Sequence, residues 1–272
     1  MILGRNWVGA ALLSMLAACS GQTKNDVTPS ASVTQHFEGR SYTLFMPDMR
    51  QRPAPAVFIL HAEDGSGAQI REASEFDKWA AQSGVIAVYP NGKDGWNDGH
   101  RSQAASVNDV EYLASLVDTL TEYGVVDPTQ VYFMGISNGG GMAMRMACER
   151  PDLVAGIGVV ATNETLNSGC TPAYPIPAAF FLGSEEDQTA TSPFSFLTDQ
   201  NVANWQASNG CANMDNSPAK RASRTRGKAK QVSFTGCHAK LGFYKISGDG
   251  HSWPSATDIN ASQQALDLWM AR

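Results

Sequence analysis

The sequence predicts an α/β protein with a mostly parallel central sheet and helices on both of its faces. Apolar runs of about five residues, typical of strands covered on both faces, alternate with segments whose apolar residues have helical spacing. The chain has 272 residues, 43% of them hydrophobic and 17% charged, which is enough for one large domain. A net charge of −6 argues against a nucleic-acid partner.

The first 36 residues are predicted to lie outside the folded body. Arg5 precedes an apolar stretch that is too short to span a bilayer as a mature helix, and small residues then lead to Cys19. This pattern resembles a bacterial lipoprotein signal, in which Cys19 becomes lipidated and holds the exported protein on a membrane of the cell envelope. An ordinary secretory signal is the alternative. The predicted divisions are a signal (1–18), a flexible polar tether (19–36) and a folded domain (37–272).

Short apolar runs predict the strands. Alternation over residues 41–47 predicts a strand at an antiparallel edge of the sheet, and the continuous run 56–60 predicts a central strand. Further strands are predicted over residues 85–89, 131–134, 153–161, 178–182 and 241–246.

Helical spacing of apolar residues predicts the layers that cover the sheet. Helices are predicted over residues 69–82, 108–123, 142–148, 195–208 and 259–269. Because strands and helices alternate, their connections are expected to be parallel crossovers.

The chain is organised around a strand, a sharp turn and a helix between residues 131 and 150. The turn carries the pentapeptide Gly135-Ile136-Ser137-Asn138-Gly139. Glycines two places either side of a serine let strand and helix approach closely, and the strained turn exposes the hydroxyl. Ser137 is therefore the predicted nucleophile, and the Asn138 N–H, at the helix N-terminus, is a predicted oxyanion donor.

A base and an acid are expected later in the chain, on loops that follow strands. His251, between Gly250 and Ser252 after the strand 241–246, is the predicted general base. The acid is expected after the strand 178–182, where Asp187 is preferred as the shorter carboxylate and Glu186 is the alternative.

Loops after two other strands are predicted to complete the cleft. The Ala62 N–H, directly after the strand 56–60, is the second predicted oxyanion donor. His61 is interpreted as a buried histidine at the substrate side of this loop, bonded to the backbone, and not as the base. Trp96, in a turn-rich loop, is a candidate wall of the substrate cleft, and packing at the surface is the equal alternative. Trp253, beside the base, is predicted to contact substrate.

The remaining cysteines are counted as two pairs, because an exported protein can keep disulfides. Pairing of sequence neighbours, Cys148–Cys170 and Cys211–Cys237, is the preferred connectivity of three. No Cys-x-x-Cys or His-x-x-x-His spacing supports a metal site. The only basic run, residues 220–230, lies between the last two cysteines and is predicted to be a mobile solvated loop.

Several motifs together resemble the secreted polyhydroxybutyrate depolymerase and feruloyl esterase family of α/β-hydrolases. They are Phe58-Ile59-Leu60-His61, Tyr89-Pro90-Asn91-Gly92, Gly135-Ile136-Ser137-Asn138-Gly139-Gly140, Asn209-Gly210-Cys211 and Gly250-His251-Ser252-Trp253-Pro254. The resemblance implies an α/β-hydrolase fold, a serine, histidine and aspartate triad, and disulfides similar to both proposed pairs.

Two departures from the family pattern concern the site. The family usually has glycine where this chain has Ala62, which keeps the N–H but restricts the turn. In the family the acid comes three residues after a glycine that corresponds to Gly183. That spacing places Glu186 at the acid position, and Asp187 would take it only if this loop were one residue longer.

The sequence thus predicts an exported serine carboxylic-ester hydrolase that needs neither a metal nor an organic cofactor. Its substrates are expected to be short hydroxyalkanoate esters, or phenolic and acetyl esters of plant polysaccharides. Two alternatives stay open: a serine peptidase on the same fold, and a lipoprotein that keeps the scaffold but binds a glycan or partner without turnover.

Overall fold

The computed structural model describes residues 31–48, 52–99, 106–162, 172–185, 200–211, 221–226, 229–234, 236–255 and 259–270. Within these ranges ten strands form one sheet. They are β1 (Ala31–Phe37), β2 (Arg40–Met46), β3 (Ala54–Leu60), β4 (Ile86–Pro90), β5 (Val126–Ile136), β6 (Gly156–Val160), β7 (Ala178–Gly183), β8 (Arg221–Arg226), β9 (Ala229–Phe234) and β10 (Leu241–Ile246). Their order across the sheet is β1-β2-β4-β3-β5-β6-β7-β10-β9-β8.

The centre of the sheet is parallel and both edges are antiparallel. Strands β4, β3, β5, β6, β7 and β10 run in one direction. Strands β1 and β2 at one edge, and β9 and β8 at the other, add antiparallel pairs. The continuous apolar runs of the sequence belong to the parallel centre, where side chains are buried on both faces.

Helices cover both faces of this sheet. They are α1 (Gly67–Ser74), α2 (Phe76–Ser83), α3 (Asp109–Glu122), α4 (Asn138–Glu149), α5 (Gln200–Ser208) and α6 (Ala261–Met270), with a 3-10 turn at Pro151–Leu153. Helices α3 and α4 contribute to one apolar cluster, and α1, α2 and α6 to another. The predicted α/β architecture is therefore confirmed. No helix in the described ranges has the length and apolar character needed to cross a bilayer.

The folded body begins earlier than the sequence predicted. Residues 31–36, assigned to the tether, belong to β1, which pairs with β2 from Ala31↔Met46 to Phe37↔Arg40. Alternate residues of β1 are half-buried, and Val33 and Phe37 pack against the core. Strand β1, and not β2, is therefore the outermost strand at this side. Residues 1–30, including Cys19, lie outside the described residues, so the signal and lipidation stay predictions.

The described residues of the basic run, 221–226 and 229–230, lie in strands and not in the predicted mobile loop. Strands β8 and β9 pair antiparallel, and β9 continues the sheet from β10. The backbone groups of an exposed strand accept a new partner strand whatever charges its side chains carry. A sequence rich in arginine and lysine can therefore form the edge of a sheet, where charge also discourages further pairing.

The predicted helix over residues 69–82 is two helices. Glu75 separates α1 from α2 with φ 46° and ψ 30°, and its N–H still donates to Glu72 O. The break turns Phe76 into the core, where it is fully buried.

Candidate active site

Ser137 is the single residue between β5 and α4, at the turn that the sequence predicted. Its backbone has φ 54° and ψ −124°, a region that side-chain-bearing residues rarely adopt. Its N–H donates to Val160 O at 2.9 Å, and its carbonyl accepts from the Thr162 hydroxyl at 2.7 Å. Bonds to β6 and to the residues that follow it therefore hold the strained turn in place.

The two flanking glycines are required by contact distances. A Cβ on Gly135 would lie 2.3 Å from Gly139 O. A Cβ on Gly139 would lie 2.4 Å from Leu60 O and 2.5 Å from His61 O. Both positions allow no side chain, because the N-terminus of α4 packs directly against the ends of β5 and β3.

Ser137 and His251 line the same cleft, which has a volume of about 620 Å³. His251 is exposed and lies on the loop after β10. The apolar part of the cleft is formed by Ile70, Ala73, Ile136 and Trp253, and its polar rim by Glu63, Asp64, Gln69 and Ser252. The structure thus brings the predicted nucleophile and the predicted base to one cavity.

The loop that should carry the acid is bonded to the loop that carries His251. Ser184 N donates to Ile246 O at 2.8 Å, Glu185 N to Asp249 O at 2.9 Å, and Gly248 N to the Ser184 hydroxyl at 2.9 Å. Glu186 and Asp187 lie outside the described residues, so the choice between them stays a prediction.

Two backbone N–H groups border the cleft where oxyanion donors were predicted. Ala62 lines the cleft directly after β3, and Asn138 is the first residue of α4. Among the described residues, neither the Ala62 N–H nor the Asn138 N–H has a hydrogen-bond acceptor. Unpaired N–H groups at such positions can bind a developing negative charge.

His61 is buried, with 2% of its surface exposed, and both of its ring nitrogens have backbone partners. Nδ1 bonds Ala62 O at 2.7 Å, and Nε2 accepts from Gly92 N at 2.9 Å. This pattern requires the neutral tautomer with the proton on Nδ1. Burial also lowers the pKa of His61, which keeps the ring neutral. His61 borders the cleft, but both of its ring nitrogens are hydrogen-bonded to the backbone.

Both predictions for Trp96, a wall of the cleft and packing at the surface, are wrong, because its side chain is fully buried. Its indole Nε1 donates to His61 O at 3.0 Å, and its ring centroid is 5.0 Å from that of His61. Its backbone N donates to Asn138 Oδ1 at 2.7 Å, and its backbone O accepts from Asn138 Nδ2 at 2.9 Å. The turn-rich loop folds inward to make these bonds, whereas Trp253 does line the cleft.

One predicted disulfide is present among the described residues. Cys211 and Cys237 are bonded, which confirms that pair. Cys148 is also disulfide-bonded, and its predicted partner Cys170 lies outside the described residues. In the described ranges no group of three or more His, Cys, Asp or Glu residues could hold a metal ion.

Several residues of the site were missed by reasoning from the sequence. The Thr162 hydroxyl and the Asn138 amide make their bonds only in the folded protein, and no local pattern identifies them. Ile70 and Ala73 were predicted on the apolar face of a helix, but helical spacing does not show that this face also borders a cleft.

Comparison with known proteins supports the resemblance drawn from the motifs. Feruloyl esterase B of Piromyces equi is 26% identical over 223 residues, which cover 74% of this chain and 40% of that protein. Poly(3-hydroxybutyrate) depolymerase of Ralstonia pickettii is 26% identical over 261 residues, covering 79% of this chain and 53% of that protein. The chain therefore spans about half the length of these two curated relatives. No family model matches it.

A solved structure shows the same fold. Acetyl xylan esterase from Aspergillus awamori superposes with a TM-score of 0.62 at 18% sequence identity, over 89% of this chain and 99% of that one. Together with the strand order, this likeness identifies the α/β-hydrolase fold.

Proposed function

We propose that this protein, an α/β-hydrolase related to feruloyl esterases and to poly(3-hydroxybutyrate) depolymerase, is a serine carboxylic-ester hydrolase. Ser137 attacks the ester carbonyl while His251 takes its proton as general base. Asp187 or Glu186 orients the imidazole. The N–H groups of Ala62 and Asn138 stabilise the tetrahedral oxyanion.

The second half of the reaction uses the same groups. His251 gives its proton to the leaving alcohol and then activates a water that cleaves the acyl-enzyme. Every step is a proton transfer or an acyl transfer, so the chemistry requires neither a metal nor an organic cofactor.

The observation that carries this proposal is the strained Ser137 at the head of a cleft that it shares with His251. A serine with φ 54°, held by glycines that allow no Cβ, is costly to the fold. Backbone strain of this kind is concentrated at functional sites, because it presents a side chain in a fixed direction.

The relatives and the cleft support a proposed substrate class. Feruloyl, acetyl-polysaccharide and hydroxybutyrate esters are the proposed substrates, and the apolar wall of Ile70, Ile136 and Trp253 suits a neutral acyl group. The proposed location is outside the cytoplasm, on a membrane through a lipid on Cys19. The Cys211–Cys237 disulfide is consistent with an oxidising compartment.

Hydrolysis of p-nitrophenyl acetate and butyrate tests the proposal, with Ser137→Ala as the decisive variant. Ser32→Ala, at an exposed position of β1, is a matched serine control that should retain wild-type activity. Turnover that is lost only in Ser137→Ala supports the esterase. A folded wild-type protein without turnover on these esters, or on feruloyl, acetyl-xylan and hydroxybutyrate substrates, favours the binding role.

A further inference from the structure

The two proposed oxyanion donors belong to two peptide planes, and both planes are held through their carbonyl oxygens. In a trans peptide the C=O and the N–H point in opposite directions, so fixing the oxygen also aims the N–H. The first plane joins His61 to Ala62, and the second joins Ser137 to Asn138. The inference below rests on the proposed function, because it concerns how these donors are placed.

The first plane is held by the Trp96 side chain. Its Nε1 donates to His61 O at 3.0 Å inside the core, where water does not compete for the bond. The Ala62 N–H therefore points away from Trp96. Ala62 lines the cleft, so this direction is consistent with a donor that faces the substrate.

The second plane is held by Thr162. The Thr162 hydroxyl donates to Ser137 O at 2.7 Å, and Gly141 N donates to the same oxygen at 3.0 Å. These two bonds set the direction of the Asn138 N–H. The two donors would still be free to shift relative to each other if nothing joined the planes.

The Asn138 amide and the Trp96 backbone provide that connection. Asn138 Oδ1 accepts from Trp96 N at 2.7 Å, and Asn138 Nδ2 donates to Trp96 O at 2.9 Å. The Trp96 side chain thus holds the peptide plane of the Ala62 N–H. The Trp96 backbone bonds the side chain of Asn138, whose N–H is the other donor.

We propose that Trp96 is a positioning residue that sets the separation and orientation of the two oxyanion donors, with the Asn138 amide as its anchor. Its buried side chain is shielded from the cleft, so Trp96 acts through His61 and Asn138. Oxyanion donors are effective only at about 2.7–3.1 Å from the developing charge. A misplacement of about 1 Å lowers the rate about 10²-fold.

The first test compares Trp96→Phe with Trp269→Phe in the full-length protein. Trp269 is a matched control, since its buried Nε1 also donates to a backbone carbonyl, Ile157 O at 3.3 Å, away from the cleft. Trp96→Phe should lower kcat for p-nitrophenyl butyrate about tenfold or more, with KM within about twofold, because ground-state binding is unchanged. Trp269→Phe should lower Tm but keep kcat within about twofold of wild type.

A second pair of variants tests the anchor without changing Trp96. Asn209 makes the same two-bond contact with a backbone, donating to Ile176 O and accepting from Ile176 N, both at 2.9 Å. Asn138→Ala should lower kcat about tenfold at nearly constant KM. Asn209→Ala should reduce stability and leave kcat within about twofold of wild type. If Trp96→Phe does not fold, the comparison of Asn138→Ala with Asn209→Ala tests the proposal by itself.

A boronic acid that forms a tetrahedral adduct with a catalytic serine gives an independent measurement. Its affinity should fall in parallel with kcat in Trp96→Phe and stay at the wild-type value in Trp269→Phe.

Three results would overturn the proposal. The first is a wild-type kcat in both Trp96→Phe and Asn138→Ala. The second is a loss of kcat in the control variants Trp269→Phe and Asn209→Ala that equals the loss in their partners. The third is a boronic-acid affinity that does not fall in parallel with kcat. Failure of the proposed function looks different: the wild-type protein would then show no ester hydrolysis, or hydrolysis would survive Ser137→Ala, and this inference would fail as well.

Discussion

The two sides of the cleft are built differently. On the donor side, His61 and Trp96 are buried. The Trp96 indole donates to His61 O after β3, and the Asn138 amide, at the start of α4, bonds the Trp96 backbone. On the base side, His251 is exposed on a loop whose backbone is tied to the loop after β7. The groups proposed to bind negative charge are thus held in place by bonds from buried neighbours, whereas the group proposed to move protons lies at the surface.

This difference agrees with what each side is proposed to do. Oxyanion donors act by being in place before the charge develops, so they gain from a rigid, dry environment. A base must exchange protons with the nucleophile, the leaving group and water, which requires access to solvent.

The largest expected effect on kcat comes from changing Ser137, which lies between the donor side and the base side. Ser137→Ala should lower kcat by about 10⁶, the scale of nucleophile loss in serine hydrolases, because neither the donors nor the base can then form an acyl-enzyme. Steady-state hydrolysis of p-nitrophenyl butyrate, with a folding check by circular dichroism, measures this. A loss below about tenfold would contradict the role of Ser137.

The next largest effect should come from the base side. One of the two variants Asp187→Asn and Glu186→Gln should lower kcat by about 10⁴, since the imidazole loses its orienting acceptor. The other should change kcat by less than about fivefold, because a charge that does not bond the imidazole has little influence on it. Equal, small effects in both would mean that neither carboxylate orients His251.

A pair of glycines compares the two sides directly. Gly139→Ala should lower kcat by about 10² or more, because its Cβ would lie 2.4 Å from Leu60 O and displace the donor loop. Gly250→Ala, next to His251, should change kcat by less than about threefold, because nothing lies within 4 Å of the added Cβ. Similar losses in both variants would show that the two sides are equally constrained.

The smallest expected effect is on stability as a function of pH. Burial lowers the pKa of His61, so the unfolded chain takes up this proton at a higher pH than the folded protein. Folding stability should therefore fall as the pH drops below about 6.5, with His61 contributing at most about 1.4 kcal/mol per pH unit.

Urea unfolding at pH 7.5 and 5.5 measures this contribution. The difference in unfolding free energy between the two pH values should be smaller in His61→Gln than in wild type, because glutamine does not titrate. An unchanged difference would show that His61 makes no contribution to the acid sensitivity.

Much of the parallel core could be predicted because its signals are local. A run such as residues 56–60 buries side chains on both faces of a sheet, and its composition reflects this wherever the strand is placed. The edges could not be predicted in the same way. Strands β1 and β8 form where an unpaired edge is available, and their own side-chain patterns are weak or strongly charged.

The sequence by itself determined the alternation of strands and helices, the Ser137 turn, and the position of His251 after the last parallel strand, because each depends on neighbours within a few residues. The tertiary structure alone decided that Trp96 is buried and that it joins the two donor loops. Its partners His61 and Asn138 are 35 and 42 positions away along the chain. Hydrogen bonds of this kind form only when packing brings distant loops together, so no local sequence pattern predicts them.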